Sequence, residues 1–319
     1  MNTPLLSVCL ITYNHENYIR QAIESVLMQK VNFDWELIIA EDCSTDTTRA
    51  IVLEYKEKYP DFIKLILQEK NVGPAKNWKN LIETPKSKYI AYFEGDDYWT
   101  DPLKLQKQID FLEFNPDYVL CFHQVNLLKP NGEIVDDFIT KVPENYETIE
   151  TLARLGNYIH TPSVVFRNII ISFPTEFEQS PMGDYFLYML LAQDGKLKYL
   201  KEKMAIYREG VGIWSAKSEY LRNLNTAYTH ALIVSCNHFD NPVSLVLLDR
   251  ISLFLKAYEN QIGKENLNLL NTCTKVNDCI YNYFLNKNKT NLSETIQMKS
   301  SKELIKEVLL RIKKRLWNK

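Results

Sequence analysis

The sequence predicts an α/β fold: a mainly parallel central sheet flanked by helices, with a helical C-terminal extension. Three observations carry this expectation. Short runs rich in Leu, Val and Ile alternate with amphipathic segments of about a dozen residues through the first third of the chain. The runs are apolar at successive positions, as strands covered on both faces must be. Strand signals fade after about residue 216, and helical periodicity replaces them. The 319 residues suffice for one large domain with an appendage. We therefore expect an α/β domain over 1–215 and a helical region over 216–319.

The elements follow in order. LLSVCLIT (5–12) reads as the first strand, and residues 16–29 place Ile19, Ile23, Val26 and Leu27 at helical spacing. WELIIA (35–40) is the second strand, followed by the turn EDCSTD and a helix from about Thr47 to Tyr59. FIKLIL (62–67) is the third strand, a helix follows near 75–83, and KYIAYFE (88–94) is the fourth strand. YVLCFHQV (118–125) and HTPSVVFR (160–167) give further strand signals within mixed segments. A helix opening at MGDYF covers 182–192, and the polar NKNKTNLSET (286–295) reads as a loop. In 301–319, Leu304, Ile305, Val308, Leu309, Ile312 and Leu316 form one apolar stripe on a strongly basic helix. Such a helix either lies on an anionic membrane surface or docks on its own domain.

Composition removes several classes. Apolar residues at 45% and charged residues at 24% exclude a disordered chain, a fibre and a disulfide-dense mini-protein. A net charge of -2 does not suit a general nucleic-acid binder. The six cysteines form no CxxC pair, and Cys9 and Cys121 lie in apolar runs as buried thiols would. No run approaches about 18 apolar residues, and the first residues show no basic region before an apolar core. We expect a cytoplasmic protein with no transmembrane helix.

In parallel sheets, ligands gather at the carboxyl ends of the strands. There stands EGDDYW (94–99), with Glu94, Asp96 and Asp97 within four positions. Clustered carboxylates repel one another unless a cation joins them, and hard cations such as Mg²⁺ or Mn²⁺ prefer oxygen ligands. An acidic turn ahead of a helix at Asp101-Pro102 is the competing reading. In EDCSTDTT (41–48), Asp42 reaches the sheet edge, and Asp46 suits a cap for the helix near Thr47. In TYN (12–14), Tyr13 can stack on a base, while Thr12 or Asn14 can bond it.

TYNHENYIRQAIESVLMQ, WELIIAEDCSTDTT, NVGPAKNW, KYIAYFEGDDYW and MGDYFLYMLLAQDGKLKYLKEKMAIYR, in this order, resemble family-2 inverting glycosyltransferases of the GT-A fold. The resemblance covers roughly residues 5 to 215. It implies that Asp96 and Asp97 grip a divalent cation, Mn²⁺ or Mg²⁺, on the diphosphate of a nucleotide-sugar donor. It implies that Asp42 reads the base, usually uracil, with Thr12, Tyr13 and Asn14 around base and ribose and Asn71 to Asn77 in the neighbouring loop. Asp184 of MGDYF then matches the catalytic base for a saccharide or lipid-linked acceptor, in bacterial surface polysaccharide or lipopolysaccharide synthesis. Asp184 also suits a helix N-terminus simply through the dipole.

Two departures stand out. Gly183 precedes Asp184 where many relatives carry an acidic residue, and YREGVGIWS (207–215) lacks the histidine that many place after Tyr-Arg. The absence of a Q-x-x-R-W motif favours a single-addition enzyme. The alternatives are a sugar-nucleotide hydrolase, a nucleotidyltransferase, which is disfavoured by the lack of a glycine-rich basic loop after the first strand, and a degenerate donor-binding module. No G-x-G-x-x-G follows the first strand, which disfavours a dinucleotide oxidoreductase.

Overall fold

The computed structural model describes residues 3–212, 214, 217–236 and 238–257. The first apolar run becomes β1 (Leu6–Thr12), whose Leu6, Val8, Cys9 and Leu10 are all fully buried. Burial at consecutive positions is why the run shows no polar alternation. Helix α1 (Ile19–Leu27) follows and buries Ile19, Ile23 and Val26 of the expected stripe together with Ala22, while Leu27 is half-buried. Next come β2 (Trp35–Glu41), α2 (Thr48–Lys58), β3 (Ile63–Leu67), α3 (Pro74–Ile82) and β4 (Tyr89–Glu94). These four strands are parallel and lie in the order β3-β2-β1-β4.

The sheet then turns mixed. β5 (Tyr98–Trp99) is followed by α4 (Lys104–Phe114), β6 (Tyr118–Leu128), β7 (Ile134–Asp136), α5 (Ile149–Leu155) and β8 (Val165–Arg167). After α6 (Gly183–Leu191) comes β9 (Lys196–Arg208), which runs parallel to β6 and pairs antiparallel with β5. The full order is β3-β2-β1-β4-β8-β6-β9-β5, with β7 on β6.

HTPSVVFR is shorter as a strand than the sequence suggests. Thr161–Ser163 forms a 3₁₀ turn instead, because Pro162 has no N–H for a ladder.

Two compact units divide the chain: Met1–Phe173 with Leu187–Ala216, and Pro174–Phe186 with Lys217–Lys319. The first holds the whole sheet. In the second, α7 (Glu219–Ser235) and α8 (Asn241–Ala257) carry out the helical expectation over their own residues. The loop expected at 286–295 and the basic helix at 301–319 lie outside the described residues. No helix among the described residues is long and apolar enough to cross a membrane.

Candidate active site

Strand order sets the place. The chain leaves β1 toward β2 and β3, then returns to the other side of β1 as β4. Such a reversal opens a crevice at the carboxyl ends of the strands. Register brings the ends level: Thr12 pairs with Glu41, and Ile11 with Glu94. The loops after β1, β2 and β4 therefore share one edge, and they contain Thr12 to Asn14, Asp42 and Glu94 to Asp97.

On the β2 side, two loops are tied together. Asn14 takes a left-handed backbone (φ 54), which short polar side chains tolerate best. Its N–H donates to Ser44 Oγ at 2.9 Å, and its Oδ1 accepts from the Thr45 N–H at 2.8 Å. Tyr13 beside it is 39% exposed. Asp46 accepts from the Thr48 N–H at 2.9 Å, so it does serve the start of α2, and it also accepts from the Glu16 N–H at 3.1 Å.

Asp42 is buried, and both its oxygens are engaged. Oδ1 accepts from Val72 N–H at 2.8 Å, and Oδ2 from Gly73 N–H at 3.0 Å. Asn71 Nδ2 donates to the Asp42 carbonyl at 3.2 Å. Gly73 has φ 86, a conformation that suits glycine, as the loop turns into Pro74 of α3. Asn77 is fully buried, donating to the Ala40 carbonyl and accepting from Gln68. Its amide links β2 to the chain just after β3 and faces inward.

At the end of β4, ligand oxygens of Glu94, Asp96 and Asp97 lie within 4.8 Å of one another. Asp96 and Asp97 are buried, and Asp96 Oδ1 and Asp97 Oδ2 have no hydrogen-bond partner. An unpaired buried carboxylate oxygen is costly, so this donor set suits a divalent cation. Burial, reinforced by the neighbouring Asp96 charge, pushes the Asp97 carboxyl well above its usual range. Gly95 is needed between Glu94 and Asp96. A Cβ there would stand 2.9 Å from both His15 Nδ1 and Thr12 Oγ1.

From sequence, Arg208 is an isolated arginine that could neutralise phosphate but more often lies at the surface, yet it is buried and reaches this turn. Its Nη1 donates to the Asp96 carbonyl, and its main-chain N–H donates to Asp97 Oδ1 at 2.9 Å. The Tyr-Arg pair that ends the family-like segments was the available signal. Arg167 goes elsewhere: it donates to the carbonyls of Tyr118, Leu112 and Asn115, a structural task. Trp99 is buried, donating from Nε1 to the Pro162 carbonyl at 2.9 Å, so its ring packs in the core. His160 Nε2 lies 3.0 Å from Asp137 Oδ2. Burial works against the Asp137 charge, but the His160 contact and the hydrogen bonds from Thr140 together outweigh it and hold the carboxyl down at about 2. Asp184 stands half-buried in the first turn of α6, within the second unit.

Known proteins agree with this architecture. The model of the family described as "Glycosyl transferase family 2" matches residues 7–173, just over half of the chain. An uncharacterized protein of Mycobacterium tuberculosis is 36% identical over 214 residues, 66% of this chain and 60% of that protein. The UDP-Glc:alpha-D-GlcNAc-diphosphoundecaprenol beta-1,3-glucosyltransferase WfgD of Escherichia coli is 28% identical over 269 residues, 83% of this chain and 100% of that protein. This chain thus spans about 60% of the length of the first curated relatives it matches. S. aureus TarS in complex with UDP has a TM-score of 0.60 at 19% identity, covering 86% of this chain and 80% of that one. The mannosyltransferase PcManGT of Pyrobaculum calidifontis, in complex with GDP-Man and Mn²⁺, has a TM-score of 0.53 at 13% identity, covering 100% and 89%. These structural likenesses speak for the fold, which is GT-A. By the match over residues 7–173, the chain belongs to glycosyl transferase family 2.

Proposed function

We propose that the chain is an inverting, metal-dependent glycosyltransferase. It moves one sugar from a UDP-sugar to an acceptor hydroxyl in the synthesis of bacterial surface polysaccharide or lipopolysaccharide. One observation carries the reading: two buried, unpartnered carboxylate oxygens, Asp96 Oδ1 and Asp97 Oδ2, at the mouth of the sheet's crevice. The activity in the name of WfgD supports the substrate class.

Asp96 and Asp97, with Glu94 beside them, would hold the divalent cation, Mn²⁺ or Mg²⁺. When bound, the cation supplies charge stabilisation to the departing diphosphate. Asp42, with its oxygens aligned by the Val72 and Gly73 amides, keeps lone pairs for a nucleobase N–H. Tyr13 is exposed enough to stack on that base, and Thr12 and Asn14 flank it. Asn71 and Asn77 hold the neighbouring loop in shape. Asp184 takes the proton of the acceptor hydroxyl as that oxygen attacks the anomeric carbon opposite the leaving group. We place the enzyme in the cytoplasm at the inner membrane face. The basic stripe of 301–319 supports this from sequence alone.

The test is a panel of UDP- and GDP-sugars, scored by nucleoside diphosphate released with Mn²⁺, with and without a polyprenyl-diphosphate sugar. Acceptor-stimulated release from a UDP-sugar, abolished by EDTA and by Asp97→Ala, is expected. Asp184→Asn should keep UDP-sugar binding and lose about 10²–10⁴-fold in transfer. Full activity in EDTA would remove the metal, and transfer by Asp184→Asn at the parent's rate would remove the base.

A further inference from the structure

Arg208 closes β9, and its guanidinium is spent in an unusual way for a cation beside three carboxylates. Its Nη1 donates to the main-chain carbonyl of Asp96, and its Nη2 donates to Gln21 Oε1 on α1. Its own N–H donates to Asp97 Oδ1 at 2.9 Å. The guanidinium carbon lies over two rings, 4.9 Å from the centroid of Tyr18 and 4.8 Å from that of Tyr98. Only 8% of the residue is exposed.

We propose that Arg208 is the positioning residue of the acidic turn, setting the carboxylates of Asp96 and Asp97 for a divalent cation. This rests on the metal-dependent reading above. Three features point to it. The fork binds a backbone oxygen of the turn, so it fixes the chain while consuming no Asp96 carboxylate oxygen. Asp96 Oδ1 and Asp97 Oδ2 accordingly stay buried without a partner. Both rings lie against the guanidinium, whose fork reaches α1 and the acidic turn at once. A lysine has the charge but neither the plane nor the fork, so it cannot make this set of contacts. The positive charge also offsets the mutual repulsion of Glu94, Asp96 and Asp97 while no cation is bound.

Charge alone and positioning predict opposite results for Arg208→Lys. Mn²⁺ binding to the full chain would be followed by titration calorimetry and by the electron paramagnetic resonance of the bound ion, without any turnover. Positioning predicts that Arg208→Lys loses about 10- to 100-fold in Mn²⁺ affinity, with the melting temperature of the metal-free protein little changed. Gln21→Leu, which frees one end of the fork, should lose affinity in the same direction by a smaller factor. Both variants keep the core, so the comparison stands even if Arg208→Met fails to fold. If Arg208→Lys binds Mn²⁺ within about twofold of the parent, the positioning role is wrong. Tighter binding by Arg208→Met would overturn it too, because Arg208 would then act only as a repelling charge. A parent that binds neither Mn²⁺ nor Mg²⁺ would overturn the metal reading itself and this inference with it. A parent that binds, with variants that bind equally, sinks this inference alone.

Discussion

A buried carboxylate is stabilised by hydrogen bonds to its oxygens, and Asp42 and Asp97 differ in how many they receive. Asp42 has two amides on two oxygens; Asp97 has one amide on Oδ1 and nothing on Oδ2. Asp42→Asn leaves one acceptor for two N–H groups, so either Val72 or Gly73 loses its partner. A stability loss of about 1–3 kcal/mol is expected. UDP itself should bind about tenfold more weakly by calorimetry, a loss of about 1.4 kcal/mol. Unchanged UDP affinity would contradict the base-reading role. Gly95→Ala should also be costly, since its Cβ meets Thr12 and His15 at 2.9 Å. We expect a loss of about 1–3 kcal/mol in denaturant unfolding, with weaker Mn²⁺ binding. An unchanged midpoint would mean that the two loops yield freely. The carboxylates of EGDDYW were legible in the sequence, but which oxygens stay unpaired was not. That depends on Arg208, 111 positions further on than Asp97.

At the scale of elements, the loops after β1 and β2 act as one piece. Asn14 bonds Ser44 and Thr45, and Glu16 accepts from Thr47 N–H at 3.1 Å while its own N–H reaches Asp46. Asn14→Val removes the Thr45 bond and puts a β-branched residue at φ 54. Strain of that kind costs of order 1–3 kcal/mol. The variant should melt earlier and bind UDP more weakly, while Asn14→Gly should recover much of the stability. Equal melting of Asn14→Val and the parent would show that the loops are not coupled in this way. Strands β1, β2 and β4 were legible because burial on both faces leaves apolar runs, while β3, at the sheet edge with Lys64 and Leu67 exposed, showed through its Ile and Leu content. β9 gave no such run: Glu202 and Lys203 are exposed while Met204 and Ala205 are buried, so charge masks the strand. β5 has only two residues, too few for any periodicity.

For the molecule as a whole, three buried bases each make stability rise with pH over their own window. Burial drives His123 well below its ordinary value, with the Lys104 charge adding to the effect. Burial brings Lys104 down to about 7, although its Nζ bonds Gln108 and sits 4.2 Å over the Trp99 ring. In the second unit, His230 lies between Tyr185 and Phe254 at ring distances of 5.5 and 6.2 Å, with no partner on either nitrogen. Burial first, and the Arg250 charge second, take it to about 3. Between its folded and unfolded pKa, each group binds fewer protons folded than unfolded, so stability rises with pH. For His230 the full contribution is present above the ordinary 6.5 and is lost as pH falls toward about 3. For Lys104 the window runs from 10.5 down to about 7. His230→Phe keeps an aromatic ring in the same packing and removes two unsatisfied nitrogens. It should raise stability near pH 7 by about 1–3 kcal/mol, and by more at about pH 5, where the parent is already losing its share. Urea unfolding at about pH 5, 7 and 9 would show the gain widening toward acid. A gain that stays flat with pH, or a loss at every pH, would mean that the His230 nitrogens are satisfied in solution and that the acid lability lies elsewhere.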